Sequence, residues 1–162
     1  MLHYSREDLI TQLAKHEGVV LEVYKDSLGF DTIGIGRNLE DRGIADLELA
    51  HMEKTMSEIY KDGITKEEAY FLADKDVEIV ERELLCSHYV VKELNVIRQR
   101  VLVDMAFNMG IPRLNKFSRM WGAIDKQDYE SAAGEMQDSR WATQVKSRAD
   151  TLAYAMEHGE FA

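Results

Sequence analysis

The chain has 162 residues, enough for one domain, in up to two lobes, with a sizeable core. With 45% hydrophobic and 31% charged residues, one proline and ten glycines, it is neither disordered nor collagen-like nor of low complexity. Thirty acidic against twenty basic side chains give a net charge of −10, which excludes a general nucleic-acid binder without a local basic patch, and a lone cysteine, Cys86, excludes an internal disulfide framework.

The start of the chain, Met1 to Asp8, is polar and lacks the apolar stretch of a signal peptide. The longest apolar runs are a few residues, far below the ~20 that cross a bilayer. These features predict a chain made in a reducing cytoplasm, with no membrane insertion, that something else must release if it acts outside.

In chain order, Leu9, Ile10, Leu13 and Ala14 recur at helical spacing, and Ser5 with Asp8 can cap a helix that stops near His16 to Gly18. The period then changes. Val19 to Lys25 reads as a strand, Asp26 to Gly29 as a turn, Phe30 to Ile35 as a second strand and Arg37 to Glu40 as a short third. Asp46 to Tyr60 reads as one helix with a broken apolar stripe, followed by a turn at Lys61-Asp62-Gly63. Thr65 with Glu68 forms a capping box opening the strongest helix, Thr65 to about Cys86, roughly 33 Å long at 1.5 Å per residue. Its stripe is Ala69, Leu72, Ala73, Asp76, Val77, Val80 and Leu84. Glu93 to Met109 is apolar enough to be a central helix, ended by Gly110-Ile111-Pro112. Further helices are predicted around Phe117–Ile124, Tyr129–Gln137 and Val145–His158. The fold class is α+β: one small early sheet and helices elsewhere.

The chemistry concentrates between His16 and Gly36. Glu17 leaves the first helix, Asp26 closes the first strand and Thr32 lies in the second. Cleaving a glycosidic bond takes an acid for the leaving oxygen and a carboxylate across the sugar, and two acids on different elements can supply them. Each residue also has a plainer reading: Glu17 as an exposed helix end, Asp26 as the side chain that makes the hairpin turn, Thr32 as an ordinary strand residue. The five histidines show no metal-ligand spacing, so no metal site and no cofactor are expected. Cys86 reads as a semi-buried helix residue, Met105, Met109 and Met120 as core, and Trp121 and Trp141 as packing or sugar-stacking groups.

Taken together, the segment resembles the phage-type lysozyme family of muramidases. Glu17-Gly18, Tyr24-Lys25-Asp26 and Thr32-Ile33-Gly34-Ile35-Gly36 carry the likeness, with Ile64 to Ala69, Phe107 to Gly110, Ser139-Arg140-Trp141 and Ser147-Arg148-Ala149 extending it over nearly the whole chain. The resemblance implies a single domain over 1–162 in two lobes. Residues 17–64 would form the sheet-containing lobe, 65–86 the joining helix and 87–162 the helical lobe, with helix 5–16 packing on the latter. It implies hydrolysis of the β-1,4 bond between N-acetylmuramic acid and N-acetylglucosamine in peptidoglycan. Glu17 would be the general acid, Asp26 the base or stabiliser, and Thr32 a holder of the attacking water, with inversion. Arg148 would steady the glutamate, Phe107 would line the cleft, and Asn38 is a sugar contact by its place after Gly36. The expected protein is a monomeric endolysin, made in the host cytoplasm and acting on the periplasmic wall.

Two departures stand out. Many relatives carry histidine after the Gly-Ile-Gly run, where this chain has Arg37, and the partner acid falls on Asp76; a bridge between the two would not titrate near neutrality. The family prototype is basic and this chain is acidic. Wall affinity then falls to the cleft or to local basic groups: Arg113, Lys116, Arg119, Arg140, Lys146 and Arg148. The rival expectations are a tail- or baseplate-borne lysozyme, disfavoured by the lack of a further module in the chain, a wall-binding module without catalysis, and a lytic transglycosylase, which needs no second carboxylate.

Overall fold

The computed structural model describes residues 2–162. It combines a three-stranded antiparallel sheet with ten α-helices among the described residues, the α+β class expected. The chain divides into two compact units, one of Arg6–Asp76 and one of Val77–Ala162 with the chain's start up to Ser5.

The first unit opens with α1 (Arg6–Glu17), which buries Leu9, Ile10 and Leu13 and closes with the Gly18 N–H on the Ala14 carbonyl at 2.9 Å. Strands β1 (Val20–Lys25), β2 (Asp31–Gly34) and β3 (Arg37–Asn38) follow in sheet order β1-β2-β3. Thr32 lies opposite Tyr24 on one side and Asn38 on the other, and Ile33 lies opposite Arg37. Alternation along a strand therefore puts Tyr24, Thr32 and Asn38 on one face and Ile33 and Arg37 on the other. The third strand stops at Asn38 and not at Glu40, because the Asn38 Oδ1 accepts from the backbone N–H groups of Glu40 and Asp41, both at 2.8 Å, and turns the chain.

The predicted helix from Asp46 to Tyr60 is two helices, α2 (Asp46–Met52) and α3 (Met56–Asp62). Glu53 adopts a left-handed conformation at φ 54°, ending α2, and the Thr55 hydroxyl caps α3 by accepting from the Glu58 N–H at 3.1 Å. The turn at Gly63 brings α3 back onto β1: a Cβ there would lie 2.1 Å from the Leu21 carbonyl oxygen, so only glycine fits. The adjacent Ile64 N–H donates to that same oxygen at 2.8 Å. Ile33, Leu39, Met52, Ile59, Ile64, Ala69 and Leu72 form the core of this unit. Each large aliphatic side chain fully buried here contributes about 1.5–3 kcal/mol.

The long helix α4 runs Lys66–Ser87. Its capping box is present: the Thr65 N–H donates to Glu68 Oε1 at 2.8 Å and the Glu68 N–H to Thr65 Oγ1 at 3.1 Å. The buried stripe matches expectation through Val77 and then departs from it, since Glu81 is buried where Val80 is only half-buried. Cys86 is exposed, a correction to the semi-buried reading, because it falls on the outer side of the last turn.

In the second unit a 3₁₀ turn (Tyr89–Glu93) precedes α5 (Val96–Met109), which therefore starts later than Glu93; the Asn95 Oδ1 caps it from the Arg98 N–H at 2.9 Å. Val101 through Ala106 are all buried, as a central helix requires. Pro112 does not merely end that helix but sits in the first turn of a short one, α6 (Ile111–Leu114), where its missing N–H has no cost. Then come α7 (Ser118–Asp125), α8 (Tyr129–Gln137), α9 (Arg140–Val145) and α10 (Ser147–His158). The predicted start of the last helix at Val145 is corrected: Lys146, at φ 53° and ψ −112°, separates α9 from α10. Met105, Met120, Trp121 and Trp141 are core; Met109 is only half-buried. The indole N–H of Trp121 donates to the Leu114 carbonyl at 3.0 Å and that of Trp141 to Asn108 Oδ1 at 2.7 Å, so both rings pack the unit.

Candidate active site

Glu17, Asp26, Thr32 and Asn38 all belong to the first unit. Glu17 is half-buried at the end of α1, and its side chain lies against Gly36: a Cβ added to Gly36 would stand 3.1 Å from Glu17 Oε1. Gly36 also has φ +70°, so the turn between β2 and β3 is shaped for glycine and leaves room for the carboxyl. The β-turn after β2 thus backs the acid that closes α1.

Asp26 does what its plainer reading required and keeps something in reserve. Its Oδ1 accepts from the Leu28 and Phe30 N–H groups, both at 2.9 Å, while the backbone exchanges bonds with Phe30 and Gly29. Its Oδ2 takes no hydrogen bond among the described residues. One oxygen therefore fixes the hairpin, and the other is held at a defined position and left open to accept a proton.

Thr32 is 3% exposed, and its hydroxyl donates to the Phe30 carbonyl at 2.9 Å. The donor is committed, so what Thr32 offers a ligand is its oxygen lone pairs. Asn38 spends its carbonyl oxygen on the turn, which leaves the amide NH₂ as a pair of donors. Tyr24, across from Thr32, is half-buried, and its hydroxyl makes no hydrogen bond among the described residues. Burial, then the charges of Glu17 and Asp26, push its phenol above the ordinary value. Tyr24 thus lies in the field of both acids and stays a neutral donor.

On the opposite sheet face Arg37 is 2% exposed and bonds through all five of its N–H groups. Nε donates to Asp76 Oδ2 at 3.0 Å. The two terminal nitrogens take Glu48 as a fork, at 3.0 and 2.9 Å, and also reach the Gly43 and Leu72 carbonyls at 3.0 Å. Arg42 pairs with Asp76 from the rim and lies 3.7 Å from Glu48, so two cations and two anions balance. Burial disfavours both charges, yet the bonds between them prevail: Arg37 is held above its ordinary range and Glu48 below its own, the latter aided by the Ala45 N–H at 2.9 Å and by Arg42. The sequence pointed to Asp76 alone; Glu48 is the stronger partner. The only sequence sign of it was an acid at the third position of α2, where such a side chain turns back to the helix start.

Phe107 is half-buried near the end of α5. Arg148, grouped with the surface cations on sequence, is 9% exposed on α10 and pairs with the fully buried Asp104, its Nε donating at 2.9 Å; it is not part of a basic surface. Arg113, Lys116, Arg119, Arg140 and Lys146 are exposed, and Lys116 and Arg119 line a groove of about 410 Å³ with Glu135. No cluster of side chains that could hold a metal ion occurs among the described residues, and no helix is long and apolar enough to cross a membrane.

Comparison with known proteins matches residues 14–154 to the family described as phage lysozyme. The pre-baseplate central spike protein Gp5 of Enterobacteria phage T4 is 36% identical over 151 residues, an alignment covering 86% of this chain and 26% of that protein. The chain thus spans about a quarter of the spike protein's length. Probable T4-type lysozymes 1 and 2 of Dictyostelium discoideum are 30% and 31% identical over 154 and 153 residues, covering 88% of this chain and 89% of each relative.

Proposed function

The chain belongs to the phage lysozyme family, and on that premise we propose that it is a muramidase, hydrolysing the β-1,4 bond between N-acetylmuramic acid and N-acetylglucosamine in bacterial peptidoglycan. The observation that carries this reading is the division of labour within Asp26. A carboxylate with one oxygen locked by two N–H groups and the other open is a base of fixed aim. In the proposed reaction Glu17 gives its proton to the leaving glycosidic oxygen. A water on the far side of the sugar attacks C1, passing its proton to Asp26 Oδ2, while the Thr32 oxygen accepts the water's second hydrogen. The product has inverted configuration. No cofactor enters, and the protein works as a monomer.

Wild type and Glu17→Gln, compared by turbidity on outer-membrane-permeabilised Gram-negative cells, test the reading. Lysis by the wild type that is lost in a folded Glu17→Gln supports it. Product analysis separates it from a lytic transglycosylase, since hydrolysis leaves a reducing muramic acid and not an anhydro sugar.

A second reading has its own support: the likeness to a baseplate spike protein favours a lysozyme domain carried on a tail over a free endolysin. The chemistry is the same. Copurification of the chain with virus particles would favour the tail-borne form, and its presence only in the lysate the free one.

A further inference from the structure

We propose that Tyr24 is a further residue of the reaction site, its hydroxyl donating a hydrogen bond from the sheet face it shares with Thr32 and Asn38 to the C2 acetamido carbonyl of the sugar whose bond is cut. The proposal rests on the muramidase reading above and adds a substrate contact to it.

Position comes first. Tyr24 stands two residues before Asp26 and directly opposite Thr32 in the β1–β2 pairing, and Thr32 in turn stands opposite Asn38. Directly paired residues put their side chains on the same face, so the three form a row across the sheet. The polar tip is the second observation. The hydroxyl of this half-buried tyrosine makes no hydrogen bond among the described residues. Its donor is available to a ligand.

The third observation fixes the kind of ligand. Burial first, then Glu17 and Asp26, hold the phenol above its ordinary value and so neutral, and it donates rather than accepting a charge. Asp26, ionised as the base and two residues away at the end of the same strand, repels an anionic group, which disfavours the lactyl carboxylate of muramic acid as its partner. In an inverting glycosidase the acid and the base approach C1 from opposite faces of the sugar, so a group paired with Thr32 and two residues from the base Asp26 lies beside C1. The neighbours of C1 are the ring oxygen and the substituent at C2. The ring oxygen gains positive charge in the oxocarbenium-like transition state, and a donor there would oppose the reaction. The C2 substituent remains. In an N-acetylated sugar its carbonyl is a strong neutral acceptor, and hydrogen bonds at C2 strengthen in the transition state of such enzymes.

The experiment compares wild type and Tyr24→Phe on native peptidoglycan, on the same wall after enzymatic de-N-acetylation, and on that wall re-acetylated chemically, with release of reducing ends as the readout. Because the hydroxyl has no hydrogen-bond partner among the described residues, Tyr24→Phe keeps the wild-type melting temperature. On native wall kcat falls by about tenfold with KM little changed, the signature of a bond made in the transition state. On de-N-acetylated wall the two proteins coincide, and re-acetylation restores the difference. A general packing role would lower activity on all three walls alike. Equal activity of the two proteins on native wall, or the same fold-loss on native and de-N-acetylated wall, overturns the assignment. Glu17→Gln run alongside separates the failures. A wild type that releases no reducing ends removes the muramidase reading and Tyr24's role with it; an inactive Glu17→Gln beside a fully active Tyr24→Phe removes the Tyr24 assignment alone.

Discussion

The two faces of the small sheet are built from alternate residues of the same strands and behave in opposite ways. Behind β3, Arg37 has every N–H bonded, both partner carboxylates are themselves pinned, and the charges cancel. On the Tyr24–Thr32–Asn38 face a phenol and an amide NH₂ are left open among the described residues, and at the hairpin's end the same is true of one oxygen of Asp26. Saturation gives rigidity, because each bond in a buried polar cluster limits the others. Open groups bind and react. The contrast shows that the second kind of surface stands on the first: β3 is short, two residues, and holds its register because the guanidinium behind it is tied to α2 and α4.

The largest effect is expected where the proposed acid is removed. Glu17→Gln keeps the side chain's shape against Gly36 and takes away the proton, so lysis falls roughly a hundred- to ten-thousand-fold while the melting temperature holds or rises. Turbidity decline and thermal melting on one preparation check both halves, and near wild-type lysis by the folded variant would reject the assignment. Asp26→Asn is a finer cut. The amide oxygen still accepts from Leu28 and Phe30, while the second position no longer takes a proton, so activity drops roughly a hundredfold or more with stability unchanged. Loss of stability equal to that of Asp26→Ala would mean that the two oxygens do not divide the work.

The saturated face breaks differently. Arg37→Met strands Glu48 and Asp76 and should cost about 3–5 kcal/mol in chemical denaturation at pH 7. A double-mutant cycle with Glu48→Gln measures the coupling, and a coupling of zero would dissolve the network as a physical unit. Acid sharpens the same point. Glu48 is held below its ordinary value by Arg37, so its contribution is complete above the unfolded carboxylate range, near ~4.3, and is lost as pH falls through the folded value. The stability gap between wild type and Glu48→Gln, wide at pH 7, should therefore close towards pH 3. A gap that stays constant would place the stabilisation outside the carboxylate's charge.

The smallest effect concerns encounter with the wall. Residues Arg6 to Asp76 carry seventeen acids and nine bases, the rest of the chain thirteen and eleven, so the negative charge gathers in the unit that holds the proposed acid and base. Screening should ease approach to an anionic polymer, and the initial lysis rate should rise about twofold from a few millimolar salt to ~0.1 M. A steady fall would mean that the exposed cations of the helical unit govern binding.

Much of this was legible in the chain. The hairpin announced itself through β-branched residues and glycines, and α4 through Thr65 and Glu68. The breaks at Glu53 and Lys146 were not legible, because both residues take a positive φ without being glycine or standing beside proline. Glu48 was hidden for a related reason. Its meeting with Arg37 depends on how α2 returns after the Asn38 turn, and no local period encodes that. The roles of Asp26 were visible as two competing readings, and the structure joins them by giving each oxygen its own surroundings.

Gly36 sets an asymmetry in what sequence drift can reach. A small residue there meets only a strained φ and a displaceable carboxyl, so selection for folded protein alone would let alanine or serine through. Selection for lysis would not, because a Cβ 3.1 Å from Glu17 Oε1 makes the carboxyl give way by a few tenths of an ångström and so disturbs its aim. Of the hairpin's positions, this atomless one should show the widest gap between libraries sorted by solubility and libraries sorted by cleared lawns.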